Sequence, residues 1–244
     1  MKGLVLAAGA GRRLRPDTDA LPKALLTIAD EMTILDLILR NFASVEITEA
    51  VLVVGHRAET VIGRQTVLER THRVRLSFVH NDRAADWNNC YSLWLARDHL
   101  RGGVLLVNGD TVHPPSVEKN LLAHNGRGSV VLAVDAAKPL AEEEMKLTVD
   151  ARGNVSKISK LLSPALADAE YIGATLVDGA AGVALGVALE QTWRRNPHLY
   201  YEDGFQTFID GGGSITTAPI GAVEWVEVDS HDDLARAREI ACRY

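Results

Sequence analysis

Apolar residues in the first 135 positions fall into two alternating rhythms. Short continuous apolar runs at 3–8, 50–54, 74–79, 104–107 and 129–134 predict strands buried on both faces. Between them lie stretches of helical period. Residues 33–43 predict an amphipathic helix with Thr33 as its N-cap, and 58–70 a more polar one. A third helix is expected over 90–100, opening at Asn88 or Asn89, and a fourth over 117–124. Strands and helices in this alternation imply a Rossmann-like, doubly wound α/β fold with a mostly parallel sheet.

Past residue 135 the rhythm changes. Runs at 145–149 and 155–158 flank the turn-forming Asp150-Ala151-Arg152-Gly153-Asn154, which predicts a β-hairpin. A strand over 171–177, helices over 182–193 and 202–209, and closing strands over 214–218 and 224–228 follow. Ser230-His231-Asp232-Asp233 has the spacing of a capping box and opens a last helix to 243. The sheet is therefore expected to be mixed, with a hairpin or lid inserted into a single 244-residue domain.

Composition narrows the chemistry. With 47% hydrophobic and 24% charged residues, the chain can bury one substantial core. A formal charge of −6 argues against a broad nucleic-acid surface, but a few placed cations could still hold a small anion. Cys90 and Cys242 form no CxxC pair and read as incidental thiols. The apolar run at 3–8 is broken by Gly9 and then by Arg12, Arg13 and Arg15, too early for a signal peptide. No stretch approaches the ~20 apolar residues of a membrane span. A cytoplasmic enzyme with neither nucleic acid nor membrane as partner is the expectation, and a homodimer is left open.

Leu6-Ala7-Ala8-Gly9-Ala10-Gly11-Arg12 directly follows the first strand. Small residues there let backbone N–H groups approach phosphates, helped by a helix end. A dinucleotide fingerprint would need glycine at 14, where Leu14 stands, and no Gly-Lys-Ser/Thr of a P-loop is present. Taken alone, the loop could equally be a tight turn without ligand. Arg12 and, after the stiff Pro22, Lys23 add the cations that a triphosphate requires. Asp110 lies just past the fourth strand and Asp229 just past the last, where α/β sheets gather their ligands. Turn and cap roles remain open for these two acids.

This pattern, with Pro22-Lys23, resembles the GxGxR…PK signature of the sugar-phosphate nucleotidyltransferases, of the nucleotide-diphospho-sugar transferase fold. Asn81-Asp82-x-x-Ala85-Asp86-x-Asn88-Asn89-x-Tyr91-Ser92-Leu93 resembles the bacterial branch that uses CTP on phosphocholine, aminoalkyl phosphonates or inositol phosphate. The resemblance implies transfer of a nucleoside monophosphate, CMP from CTP, to a small phosphorylated or phosphonate acceptor with release of pyrophosphate. It implies a nucleotide site of Leu6, Ala7, Ala8, Gly9, Gly11, Arg12, Lys23 and Asp110, with Arg12, Lys23 and Asp110 catalytic and Mg2+ held by Asp110 and Asp229. Asn81, Asn89 and Ser92 are expected to read the base, since amides offer both donor and acceptor. Residues 1–135 would form the nucleotide-binding core, 136–222 the acceptor-binding insertion, and 223–244 the closing strand and helix. On the acceptor side Lys146 is expected to anchor the phosphate, ahead of Lys160, with Lys157 solvated. Glu202 and Asp203, beside Tyr200 and Tyr201, would meet an ammonium or hydroxyl group. Other NTPs with sugar or cyclitol phosphates, a non-catalytic nucleotide-binding module and a nicotinamide oxidoreductase are the rival expectations. Leu14 counts against the last.

Overall fold

A computed structural model describes residues 1–124 and 129–244. The chain starts with β1 (Lys2–Ala7), a small hairpin of β2 (Thr27–Ala29) and β3 (Met32–Thr33), then β4 (Glu49–Val54) and β5 (Arg75–His80). Next come β6 (Val104–Asn108), β7 (Thr111–Val112), β8 (Val130–Asp135), β9 (Lys146–Val149) and β10 (Val155–Ser159). The last strands are β11 (Ala169–Val177), β12 (Ile215–Pro219) and β13 (Val226–Glu227). Nine of these make one sheet, in which β5, β4, β1 and β6 lie side by side and parallel.

Both faces of that parallel half are covered. Val5, Ala7, Leu52 and Val54 point into one apolar core, packed by the helix Ile34–Ser44. Their alternates Leu4, Val51 and Val53 point into a second core, under the helices Asn89–Leu95, Gly179–Arg195 and Tyr201–Asp210. Two-sided burial is why these strands read as unbroken apolar runs. The N-cap expected at Thr33 and the capping box expected at Ser230 are present, and Thr33 forms a reciprocal box as well. Thr33 Oγ1 accepts from Asp36 N at 3.2 Å, and Ser230 Oγ from Asp233 N at 3.2 Å.

The second half joins the sheet through β11, which runs antiparallel to β6, β8 and β9. Along one edge it pairs first with β9 at 169–170 and then with β6 at 174–177. Gly173 sits in the gap, at φ +82, and its register against β8 shifts between Tyr171 and Thr175. A Cβ on Gly173 would stand 2.7 Å from Asn108 Nδ2, so only glycine lets β11 pass the end of β6. Gly109 is bound in the same way, since its Cβ would lie 2.6 Å from Leu6 O.

Several elements differ from the sequence expectation. The stretch 58–70 forms two helices, Ala58–Ile62 and Gln65–His72, parted at Gly63. The stretch 90–100 forms Asn89–Leu95 and Arg97–Leu100. Of the expected strand 224–228 only Val226–Glu227 is extended and paired, with the two-residue β7. No helix among the described residues is long and apolar enough to cross a membrane.

Lys146, at the start of β9, is fully buried. Its Nζ donates to the carbonyls of Ala141, Glu142 and Glu144 at 3.2, 2.6 and 2.9 Å. The ammonium thus gathers the loop that leads into the hairpin. Removing it takes one charged donor from three loop carbonyls. Urea denaturation should show Lys146→Met losing about 2–4 kcal/mol, a buried-polar penalty, whereas Lys157→Met on the exposed hairpin face should stay within about 0.5 kcal/mol.

Candidate active site

Three distant segments converge at the carboxyl ends of β1 and β6. Pro22 is extended, at φ −70 and ψ 152, and hands the chain to a short 3-10 turn that begins with Lys23. Lys23 Nζ lies 2.9 Å from Asp110 Oδ2 and 2.6 Å from Asp229 Oδ1. The backbone sews the same acids together. β7, just past Asp110, pairs antiparallel with β13, and Val228 N donates to Asp110 O at 2.9 Å. Arg13 Nη2 closes on Asp229 Oδ2 at 2.6 Å from outside.

Glu227 completes the cluster. One carboxylate oxygen from each of Asp110, Glu227 and Asp229 lies within 4.8 Å of the others. Burial alone would lower Lys23, yet Asp110 and Asp229 hold it well above the ordinary lysine range. Burial would raise Asp229, but Lys23 and Arg13 bring it below the usual carboxylate range. Desolvation, then the charges of Asp110 and Asp229, push Glu227 up to about 8; Lys23 and Lys160 draw it down, but by less. A site that makes one of its acids hold a proton is short of positive charge. Clustered carboxylate oxygens with that deficit fit a hard divalent cation.

The glycine loop forms the wall beside this cluster. Leu6, Ala7, Gly9, Gly11, Lys23 and Asp110 line one cavity. Its two loop glycines differ in cause. Gly11 is left-handed, at φ +57, and a Cβ there would meet Thr18 at 3.0 Å, so the turn itself demands glycine. A Cβ on Gly9 would meet nothing within 4 Å; it would stand in the cavity. Ala8 is packed into the core beneath, and its carbonyl accepts from His56 N at 3.0 Å. Only a three-residue 3-10 turn, Arg12–Leu14, follows the loop. The helix dipole expected there is therefore lacking, and Lys23 with the loop N–H groups supplies the positive potential.

Ala10 and Arg12 face a second cavity, shared with Gly55, His56, Asn81 and Ala85. Arg12 Nη2 donates to Ala85 O at 3.1 Å, which ties the glycine loop to the segment after β5. Asn81 is 2% exposed; its Nδ2 donates to Ser92 Oγ at 2.8 Å and its Oδ1 accepts from Arg83 N at 2.8 Å. A third cavity opens on the far side of Glu227, lined by Glu227, Lys160, Glu202, Tyr200, Asn89 and Asn108 among others. Glu202 is 5% exposed, and its Oε2 has no hydrogen-bond partner. Desolvation pushes it up to about 7.

Residues 3–184 match the model of the MobA-like NTP transferase domain. The chain belongs to this family. CMP-5'-(3-aminopropyl)phosphonate synthase of Streptomyces rubellomurinus is 29% identical over 97% of this chain and 38% of its own length. Choline-phosphate cytidylyltransferase of Streptococcus pneumoniae is 34% identical over 43% of this chain and 43% of its own. The chain thus spans well under two thirds of the curated relatives it matches. Among solved structures, the inositol-1-phosphate CTP transferase from T. maritima superposes with a TM-score of 0.81 at 22% identity, covering 99% of this chain and 95% of that one. The nucleotide-diphospho-sugar transferase architecture follows from that likeness.

Within this NTP transferase domain, Lys23, Asp110 and Asp229 share one site, as their sequence positions promised, but other expected residues are placed elsewhere. Lys146 lines none of these three cavities, because its ammonium is spent on loop carbonyls; Lys160 is the lysine that faces Glu227 and Glu202. Asp203 is a helix cap, with Oδ2 accepting from Tyr200 N at 2.8 Å. Asn89 lies on the Glu202 side, with Oδ1 accepting from Tyr201 N at 3.0 Å, and Ser92 sits behind Asn81. Neither lines the Arg12 cavity. Glu227, which the sequence reading passed over, begins Glu227-Val228-Asp229; positions i and i+2 of a strand share a face, and that spacing was its signal.

The two loop glycines should separate in experiment. Gly9→Val should keep the wild-type melting temperature yet weaken NTP binding at least about tenfold in calorimetry. Gly11→Ala should instead lose about 1–2 kcal/mol of stability.

Proposed function

We propose that the chain is a magnesium-dependent cytidylyltransferase, which moves CMP from CTP onto a small phosphorylated or phosphonate acceptor and releases pyrophosphate. The observation that carries this reading is Lys23, held between Asp110 and Asp229 beside the open face of Gly9, with Glu227 turned toward both that cluster and the Lys160 cavity. Triphosphate and acceptor would then approach the same carboxylates from opposite sides. The names of the two curated relatives above, both of cytidylyl transfer, support CTP as donor.

In this mechanism an acceptor oxygen, already anionic at neutral pH, attacks the α-phosphorus. The bond from that phosphorus to the departing pyrophosphate breaks as the new P–O bond forms. No general base is required. Lys23 and the loop N–H groups draw the triphosphate against Gly9. Arg12, once released from Ala85 O, meets the negative charge that builds on pyrophosphate. Lys160 takes the anchoring part first expected of Lys146 and holds the acceptor's phosphate or phosphonate. Residues 136–222 would thereby supply the acceptor side. Asp110 and Asp229, with Glu227 within reach, would hold a magnesium ion, whose charge would offset that of the phosphates.

Pyrophosphate release from four NTPs, each paired with phosphocholine, aminoethylphosphonate, inositol phosphate and a hexose 1-phosphate, tests the reading. Turnover should require CTP and a divalent cation; turnover with UTP, dTTP or GTP but not CTP would refute the donor assignment. Asp110→Asn should lower kcat/KM about a thousandfold, roughly 4 kcal/mol, with the fold intact by circular dichroism.

A further inference from the structure

We propose that the acceptor ends in a primary ammonium held by Glu202, so that the chain selects short ω-aminoalkyl phosphonates or phosphates over trimethylammonium and cyclitol acceptors. The inference rests on the transfer reading above and names the acceptor class of that site.

A carboxylate oxygen that is buried without a donor is costly, and Glu202 Oε2 is one, in a side chain 95% removed from solvent and facing the third cavity. Desolvation raises its pKa by more than nearby donors and Lys160 lower it. The balance of charge then fixes the sign of the missing partner. Lys160 is the cation lining that cavity, against the two acids Glu227 and Glu202, and its charge acts on both. Once Lys160 is engaged by the acceptor's phosphonate, Glu202 is left without positive charge. A substrate ammonium restores it.

The rings of the site oppose a quaternary head group. A trimethylammonium has no N–H to give Glu202, and it would need free aromatic faces. Tyr200 already carries the Lys160 ammonium, 5.1 Å from its ring centroid. Tyr171 and Tyr201 stand edge to face at 87°, and their hydroxyls lie in a buried chain with Thr175 and Asn108. Trp87, Trp94 and Trp193 cluster with Tyr91 and line none of this cavity.

Charge opposes a ring of hydroxyls. A polyol can donate to Glu202, but it brings no positive charge to offset the ionised carboxylate.

The test compares acceptors of matched length on the full chain: 2-aminoethylphosphonate, ethylphosphonate, phosphocholine and inositol phosphate. Binding is read by calorimetry with an unreactive CTP analogue present, and turnover by pyrophosphate release. The amine should bind about ten- to a hundredfold more tightly than ethylphosphonate, as a charged hydrogen bond implies, and phosphocholine no better than ethylphosphonate. Glu202→Gln, nearly isosteric, should erase the amine's advantage over ethylphosphonate through KM. Equal binding of amine and alkyl compounds, tighter binding of phosphocholine or inositol phosphate, or no binding of the amine each overturns the proposal. A chain that binds the amine selectively but releases no pyrophosphate with any NTP overturns the transfer reading instead, and leaves Glu202's role supported.

Discussion

The site depends on one ammonium lodged between two carboxylates. Asp110, Glu227 and Asp229 would repel one another at their observed spacing. Lys23 offsets it by touching two of the three. The same contact fixes the fold locally. A ribbon of two residues a side, β7 with β13, has little stability of its own, and the ion bridge pins the turn at residue 23 across it. The chain thereby joins a segment near its start to two segments more than eighty residues further on. Geometry and electrostatics support each other here.

From that junction the remaining features follow. Gly109 lets β6 end against the carbonyl of Leu6, which sets Asp110 beside the glycine loop. Gly173 lets β11 cross the end of β6, which opens the gap where Glu227, Lys160 and Glu202 meet. Both glycines make space for a neighbouring group at under 3 Å. The cavities on either side of the acidic cluster are thus products of close backbone approach. Lys146 and Lys160, both in the hairpin region, divide the work: one ammonium is consumed in holding the loop, the other is left facing a cavity.

Much of this was legible in the sequence because the signals are local. Continuous apolar runs marked the buried strands, Thr33 as an N-cap and the acid three residues after Ser230 marked helix starts, and the Asp150–Asn154 turn marked the hairpin. The glycine loop, Lys23 and the strand-end acids Asp110 and Asp229 were visible as residue types at strand ends. What escaped depends on partners far along the chain. Nothing near Lys146 says that three carbonyls will surround it, and Lys160 carries no mark that it will be spared. Asn89 offered a plausible amide for a base, but its oxygen is taken by Tyr201, 112 residues later. Local period also says nothing of strand direction, so the antiparallel entry of β11 beside β6 could not be read. β7, two residues long, has no period at all.

The most direct test of a single convergent site is a crystal structure with Mn2+ and an unreactive CTP analogue, with the metal located by its anomalous signal. The account predicts manganese against Asp110 and Asp229, with the triphosphate along Gly9 and Gly11 and within reach of Lys23. Metal or triphosphate bound in a cavity that excludes these residues would contradict it.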